Sequence, residues 1–187
     1  MTAKPVENEK IAIVGFSNVK LDNVASFLNQ FRAQTKGAPI QLFDAKNVAG
    51  FEHLYFAAIN ALNSFEKKTN ISNNLEVEAL LFASGQRQIT KAVEMLGIKK
   101  GTSKIAALIL AENHEQKTSY TDLVTKLVPG ERNDNVFNLT DEKMVSIKKM
   151  FDISDLEIEA SLKNEGAEKE TVIDLVIERM ALLVTKS

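Results

Sequence analysis

The 187-residue sequence contains no cysteine, which removes disulfide frameworks, thiolate zinc sites, iron–sulfur ligation and cysteine nucleophiles together. Imidazole is almost as scarce. His53 and His114 are the two histidines; they lie far apart and in no ligand spacing such as H-E-x-x-H, so a metal site is not expected. Neither G-x-x-x-x-G-K-[ST] nor G-x-G-x-x-G occurs, leaving nucleotide hydrolysis on a phosphate-cradling loop without support. Carboxylates fall at helix starts and on polar faces, where capping and solvation put them, and no pair stands out as acid and base. Met1 to Lys10 lacks the apolar core of a signal peptide, and the apolar run that follows is too short to span a bilayer. The expectation is a cytoplasmic chain, neither exported nor membrane-spanning, that acts without a cofactor.

What is present suits an ordinary globular fold. Hydrophobic residues make up 44% and charged residues 26%, and a chain of this length can bury a core without covalent staples. The net charge of -2 argues against a surface built throughout for nucleic acid, so any RNA contact must be local. There is no repeat, low-complexity tract or Pro/Ser-rich linker, which predicts one domain over residues 1–187 with 1–9 as a flexible extension.

Periodicity predicts an α/β fold, a single mixed sheet of four to five strands packed with helices, its C-terminal part helical. Lys10 to Phe16, Ile40 to Phe43, Val77 to Ala83 and Ile105 to Leu110 read as strands, the third buried on both faces, and Val136 to Leu139 as an edge strand. Asp22 is placed to cap a helix carrying Val24, Phe27, Leu28 and Phe31, stopped at Gly37-Ala38-Pro39. The next helix, from about Ala49, aligns Phe51, Leu54, Tyr55, Ala58, Leu62 and Phe65. His53 sits at the edge of that stripe, where a partly buried structural histidine is the common case. A helix from about Gln86 turns Ile89, Ala92, Val93 and Leu96 to the core and ends at a left-handed Gly97. Tyr120 to Val128 is helical up to Pro129-Gly130, with His114 in a loop before it. Thr140 caps one later helix, Ser154 and Glu157 have capping-box spacing for another, and Gly166 precedes the last.

Two segments hold more than folding asks for. Ten of the thirteen residues from Val172 to Val184 are apolar, whereas a surface helix needs only a stripe; the helix is either central to the core or shared with a partner protein. The second segment is the turn Ser84-Gly85-Gln86-Arg87, whose backbone amides at a helix start suit an anion. Arg87 opposes the helix dipole there and adds a planar donor, and Lys91 lies one turn on. An ordinary cap and turn explains the same residues, and Lys99, Lys100 and Lys104 are positioned to extend a basic patch.

Asn47 to Leu54, Glu78 to Ala83, the string Ala83-Ser84-Gly85-Gln86-Arg87-Gln88-Ile89, Lys91-Ala92 and Leu96 to Lys99 resemble the archaeal form of the kinase-binding adaptor subunit of the KEOPS (EKC) tRNA threonylcarbamoylation complex. The resemblance runs from the first strand to the chain end. It implies a non-enzymatic subunit whose partners are the small atypical kinase-like ATPase of KEOPS, the CCA end of tRNA and, indirectly, the rest of the complex. The kinase is implied to meet the C-terminal helices, for which Leu175, Arg179, Leu182 and Leu183 are candidates. The CCA end is implied to lie near Ser84, Gly85, Arg87, Gln88 and Lys91, with His53 as a stacking neighbour. A kinase regulator without RNA contact, and a small-molecule enzyme using the Ser84 turn as an anion site, are the alternatives.

Overall fold

A computed structural model describes residues 8–185. The elements in chain order are β1 (Ile11–Ser17), α1 (Val24–Thr35), β2 (Ile40–Asp44), α2 (Phe51–Glu66), α3 (Leu75–Ser84), α4 (Ile89–Leu96), β3 (Ile105–Leu110), α5 (His114–Leu127), β4 (Glu131–Arg132), α6 (Asp141–Met150), α7 (Asp155–Ser161) and α8 (Glu168–Thr185), with 3-10 turns at Ala45–Asn47 and Asp134–Phe137. The expected flexible extension lies outside the described residues apart from Asn8 and Glu9. Asn8 is tied down, its carbonyl accepting from Lys117 Nζ at 3.0 Å.

The four strands form one sheet in the order β2-β3-β1-β4, and all three pairings are antiparallel. Among the described residues no pairing is parallel, because β1 and β2, and likewise β3 and β4, run the same way but are separated by a strand antiparallel to both. Alternation sorts the sheet's side chains onto two covered faces. Ile11, Ile13, Phe43, Ala106, Leu108 and Leu110 join a core cluster with α2 and α3, while Val14, Phe16, Leu42, Ile105, Ala107 and Ile109 join one with α1 and α5. Central β3 is therefore buried at every position. A third cluster, under α6, α7 and α8, holds Ile147, Phe151, Ile158, Val172 and Val176.

Val77 to Ala83 is not a strand. It is the middle of α3, buried from Glu78 to Ser84 because α2, α8 and the sheet pack around it. A helix enclosed on all sides is apolar on all sides, so its sequence carries no stripe to distinguish it from a buried strand. Enclosing Leu80, Leu81 and Phe82 stabilises by about 1.5–3 kcal/mol each, against propensity differences of a few tenths per residue, so packing decides the conformation. Glu78 is enclosed with them. Its carboxyl oxygens accept from Ser64 Oγ at 3.1 Å, Ile71 N at 3.0 Å and Ser72 N at 2.7 Å, fixing the loop that launches α3.

Smaller differences follow from side chains competing for backbone groups. Asn23, not Asp22, caps α1, accepting from Ser26 N. Asn113 caps α5, which starts at His114, six residues before the expected Tyr120, so His114 lies in its first turn rather than in a loop. Asn133 accepts from Asn135 N and winds Asp134–Phe137 into a 3-10 turn instead of an edge strand, leaving two-residue β4 as the edge. Gly97 is extended, not left-handed; a Cβ there would lie 2.5 Å from Val93 O, so close approach requires the glycine. The Ser154/Glu157 capping box is formed as its spacing predicts.

Candidate functional site

The turn between α3 and α4 is built by helix termination. Gly85 adopts the left-handed conformation at φ +62°, and its amide donates to Phe82 O at 2.9 Å while that of Gln86 donates to Leu81 O at 3.2 Å. These amides are consumed by the end of α3 rather than offered to an anion. Ser84 is buried with its hydroxyl donating to Leu81 O. Arg87, Gln88 and Lys91 are exposed. Gln88 caps α4 without a side-chain hydrogen bond, leaving the first amides of α4 unsatisfied by the helix itself.

His53 is fully buried, which removes it as a stacking partner for an RNA base. Its Nδ1 accepts from Ala49 N at 3.1 Å, so Nε2 carries the proton and donates to Ala83 O at 2.7 Å. The ring stands edge-on to Phe151, centroids 5.5 Å apart. Burial pushes the imidazole down to about 4; the bond to Ala83 opposes the shift and the charge of Lys143 adds to it. The histidine is a neutral rivet between the start of α2 and the end of α3.

The surplus of apolar residues in α8 has a structural cause. Val172, Leu175 and Val176 pack in the C-terminal cluster, and one turn on Met180 and Leu183 enter the cluster shared with α2 and α3. Serving two neighbours at different angles needs more than one stripe. Leu175 and Leu183 are therefore core residues rather than surface for a partner. Arg179 reaches back to the carbonyls of Phe151 and Asp152 and pairs with Glu157 Oε1, which holds the Glu157 carboxyl down at about 2. Leu182 alone among the named candidates presents a largely exposed apolar side chain, at 45%.

Sequence periodicity misplaced a second part of this surface. Ile89 and Val93 are 50% and 46% exposed, because α4 buries Ala92 and Leu96 with Met95 beside them. Positions 89 and 93 lie about 70° and 110° around the helix from the centre of that face, at 100° per residue. The two ends meet. A Cβ on Gly85 would lie 3.5 Å from Arg179 O, so the turn that begins α4 abuts the stretch of α8 just before Leu182.

A family model described as kinase binding protein CGI-121 matches residues 16–183. The chain belongs to the CGI-121 family. It is similar to the "Regulatory protein Cgi121" of Methanocaldococcus jannaschii, 28% identical over 150 residues that cover 80% of this chain and 86% of the relative. The CGI-121 match starts inside β1 and ends inside α8, so it takes in the α3–α4 turn, His53 and the Leu182 surface.

A further concavity in this CGI-121 chain was not foreseen from sequence. A cleft of about 350 Å³ opens between the two 3-10 turns, the start of β3 and the N-terminal half of α6, and Lys46, Lys104 and Lys143 all line it. Lys104 thus belongs here and not beside Arg87. Half-buried Lys143 donates to Val136 O at 2.9 Å, and burial, then the charge of Lys104, push it down to about 8, with Asp44 opposing. Among the described residues no group of three or more His, Asp or Glu side chains could hold a metal ion, and no helix is long and apolar enough to cross a membrane.

Proposed function

We propose that this chain is a non-catalytic adaptor that docks on a protein kinase, specifically the small kinase-like ATPase of KEOPS, and helps hold the CCA end of tRNA for a separate catalytic subunit. A single working unit in the cytoplasm is part of the same reading. The observation that carries it is membership of a family described as kinase-binding, over residues 16–183. The apolar surface left over once the core is closed supports a docking role: Leu182, Ile89 and Val93 are exposed on adjoining elements, where scattered solvation would favour polar side chains. Arg179 supports the contact by bracing α8 rather than by touching the partner. Copurification with the tagged ATPase subunit tests this. Leu182→Glu and Val93→Glu abolish it while leaving the chain folded; retention of the kinase by both variants rejects this surface.

The RNA half rests on exposed Arg87, Gln88 and Lys91 around the open end of α4, a local cationic site of the size a single-stranded tip requires. Arg87→Ala is expected to weaken tRNA binding in a filter assay and to lower its salt dependence, with thermal stability unchanged. The alternative, a kinase regulator without RNA contact, is favoured by the amides of Gly85 and Gln86 being committed to α3. Unchanged tRNA affinity of Arg87→Ala selects it.

A further inference from the structure

The cleft beside α6 is cationic in a chain whose net charge is -2. Lys46, Lys104 and Lys143 converge on it from three separate elements, against one lining carboxylate, Glu142. That carboxylate accepts from its neighbour Thr140 Oγ1 at 3.3 Å. Asp44, beside the lining residue Ala45, accepts from Thr102 Oγ1 at 2.8 Å and from Lys46 N at 3.1 Å, and its charge offsets part of the repulsion felt by Lys143. Among the described residues no ion pair joins any of the three lysines to a carboxylate. Surface lysines in an acidic protein ordinarily disperse among carboxylates, and gathering three in one concavity raises the energy of each charged form. The half-buried position of Lys143 makes the repulsion from Lys104 felt.

We propose that this cleft binds a phosphate group carried on a nucleotide-sized body, with Lys46, Lys104 and Lys143 around the phosphate and the carboxamides of Asn135 and Asn138 along the remainder. The lysines supply charge-assisted donors, and the phosphate supplies the counter-charge that Glu142 and Asp44 provide only in part. The volume of about 350 Å³ is at the small end of ligand pockets and exceeds what a bare phosphate needs. The two asparagines offer both donors and acceptors, which suits a sugar or a base edge. The site depends neither on the kinase-docking surface nor on Arg87. Its phosphate can come from a free nucleotide or from a residue of a polynucleotide chain, and the chemistry is shared.

Calorimetric and NMR titration of the full chain with AMP, near pH 7 and at low salt, tests the proposal. AMP is expected to saturate one site, to move the Lys143 side-chain signals and to raise the pH at which they titrate. Adenosine is expected to bind about tenfold more weakly or not at all, and Lys104→Gln to weaken AMP by about tenfold, the scale of one lost charge-assisted contact. Lys104 is exposed, so this variant stays folded where a Lys143 variant would lose its bond to Val136. Exposed Lys67 on α2's C-terminal side is the control, and Lys67→Gln leaves AMP binding unchanged. Competition by a short oligoadenylate assigns the phosphate to a polynucleotide; failure to compete assigns it to a free nucleotide. Absence of saturation, equal binding of adenosine and AMP, or equal effects of Lys104→Gln and Lys67→Gln each overturn the proposal.

Discussion

Replacing Glu78 by leucine should destabilise the fold, although it exchanges a charged residue type for an apolar one inside an apolar core. The leucine fills similar space, so the loss comes from the donors left behind. Ser64 Oγ keeps its bond to Ala61 O at 2.9 Å and is little affected. The amides of Ile71 and Ser72, bonded to the Glu78 carboxyl at 3.0 and 2.7 Å, lose their acceptor. The Ser72 amide is a buried donor whose orphaning costs about 1–3 kcal/mol, whereas Ile71 is exposed and water takes over part of its bond, giving roughly 2–3 kcal/mol in all. For a chain of this size that lowers Tm by roughly 4–12 °C. Glu78→Gln keeps one carbonyl acceptor and should recover about half of the loss. Urea unfolding gives the free energies, and hydrogen exchange at Ile71 and Ser72 reads the two amides directly. A loss below about 1 kcal/mol for the leucine variant, or glutamine as harmful as leucine, would show that water substitutes for the carboxyl and that the loop is not held as described.

Acid should destabilise the protein through His53. Its folded-state value of about 4 lies below the unfolded value of 6.5, so the unfolded chain takes up a proton first; stability is full above pH 6.5 and falls by about 3 kcal/mol by pH 4. His53→Gln, compared with the native chain by Tm at stepped pH, should flatten that interval, and an equal slope in both refutes the assignment. Gly15→Ala places a Cβ 2.5 Å from Val136 Cγ2 and 2.6 Å from Asn133 O, an overpacking worth about 1–3 kcal/mol that should also shift NMR signals around the lysine cleft. Leu175→Glu should yield unfolded or insoluble protein because Leu175 is buried, whereas Leu182→Glu changes Tm little; circular dichroism melts that fail to separate the two would contradict the packing of α8.

The sequence by itself determined whatever depends on neighbours along the chain. Alternation and β-branching located β1, β2 and β3, the i, i+3, i+4 spacing of Phe51, Leu54, Tyr55 and Ala58 located α2, and the capping box of Ser154 and Glu157 located α7. A resemblance carried by the Ala83 to Ile89 string reached the family, because that string is specific whatever surrounds it. The tertiary structure decided what depends on enclosure. Val77 to Ala83 became a helix because neighbours surround it, His53 became a core rivet because Ala49 and Ala83 claim both its nitrogens, and most of the apolar surplus of α8 was divided between two clusters, with Leu182 left exposed. Lys46, Lys104 and Lys143 meet only because the crossover connections bring three distant stretches to one cleft. A one-dimensional pattern records which side chains avoid water, and only folding settles which atoms take water's place.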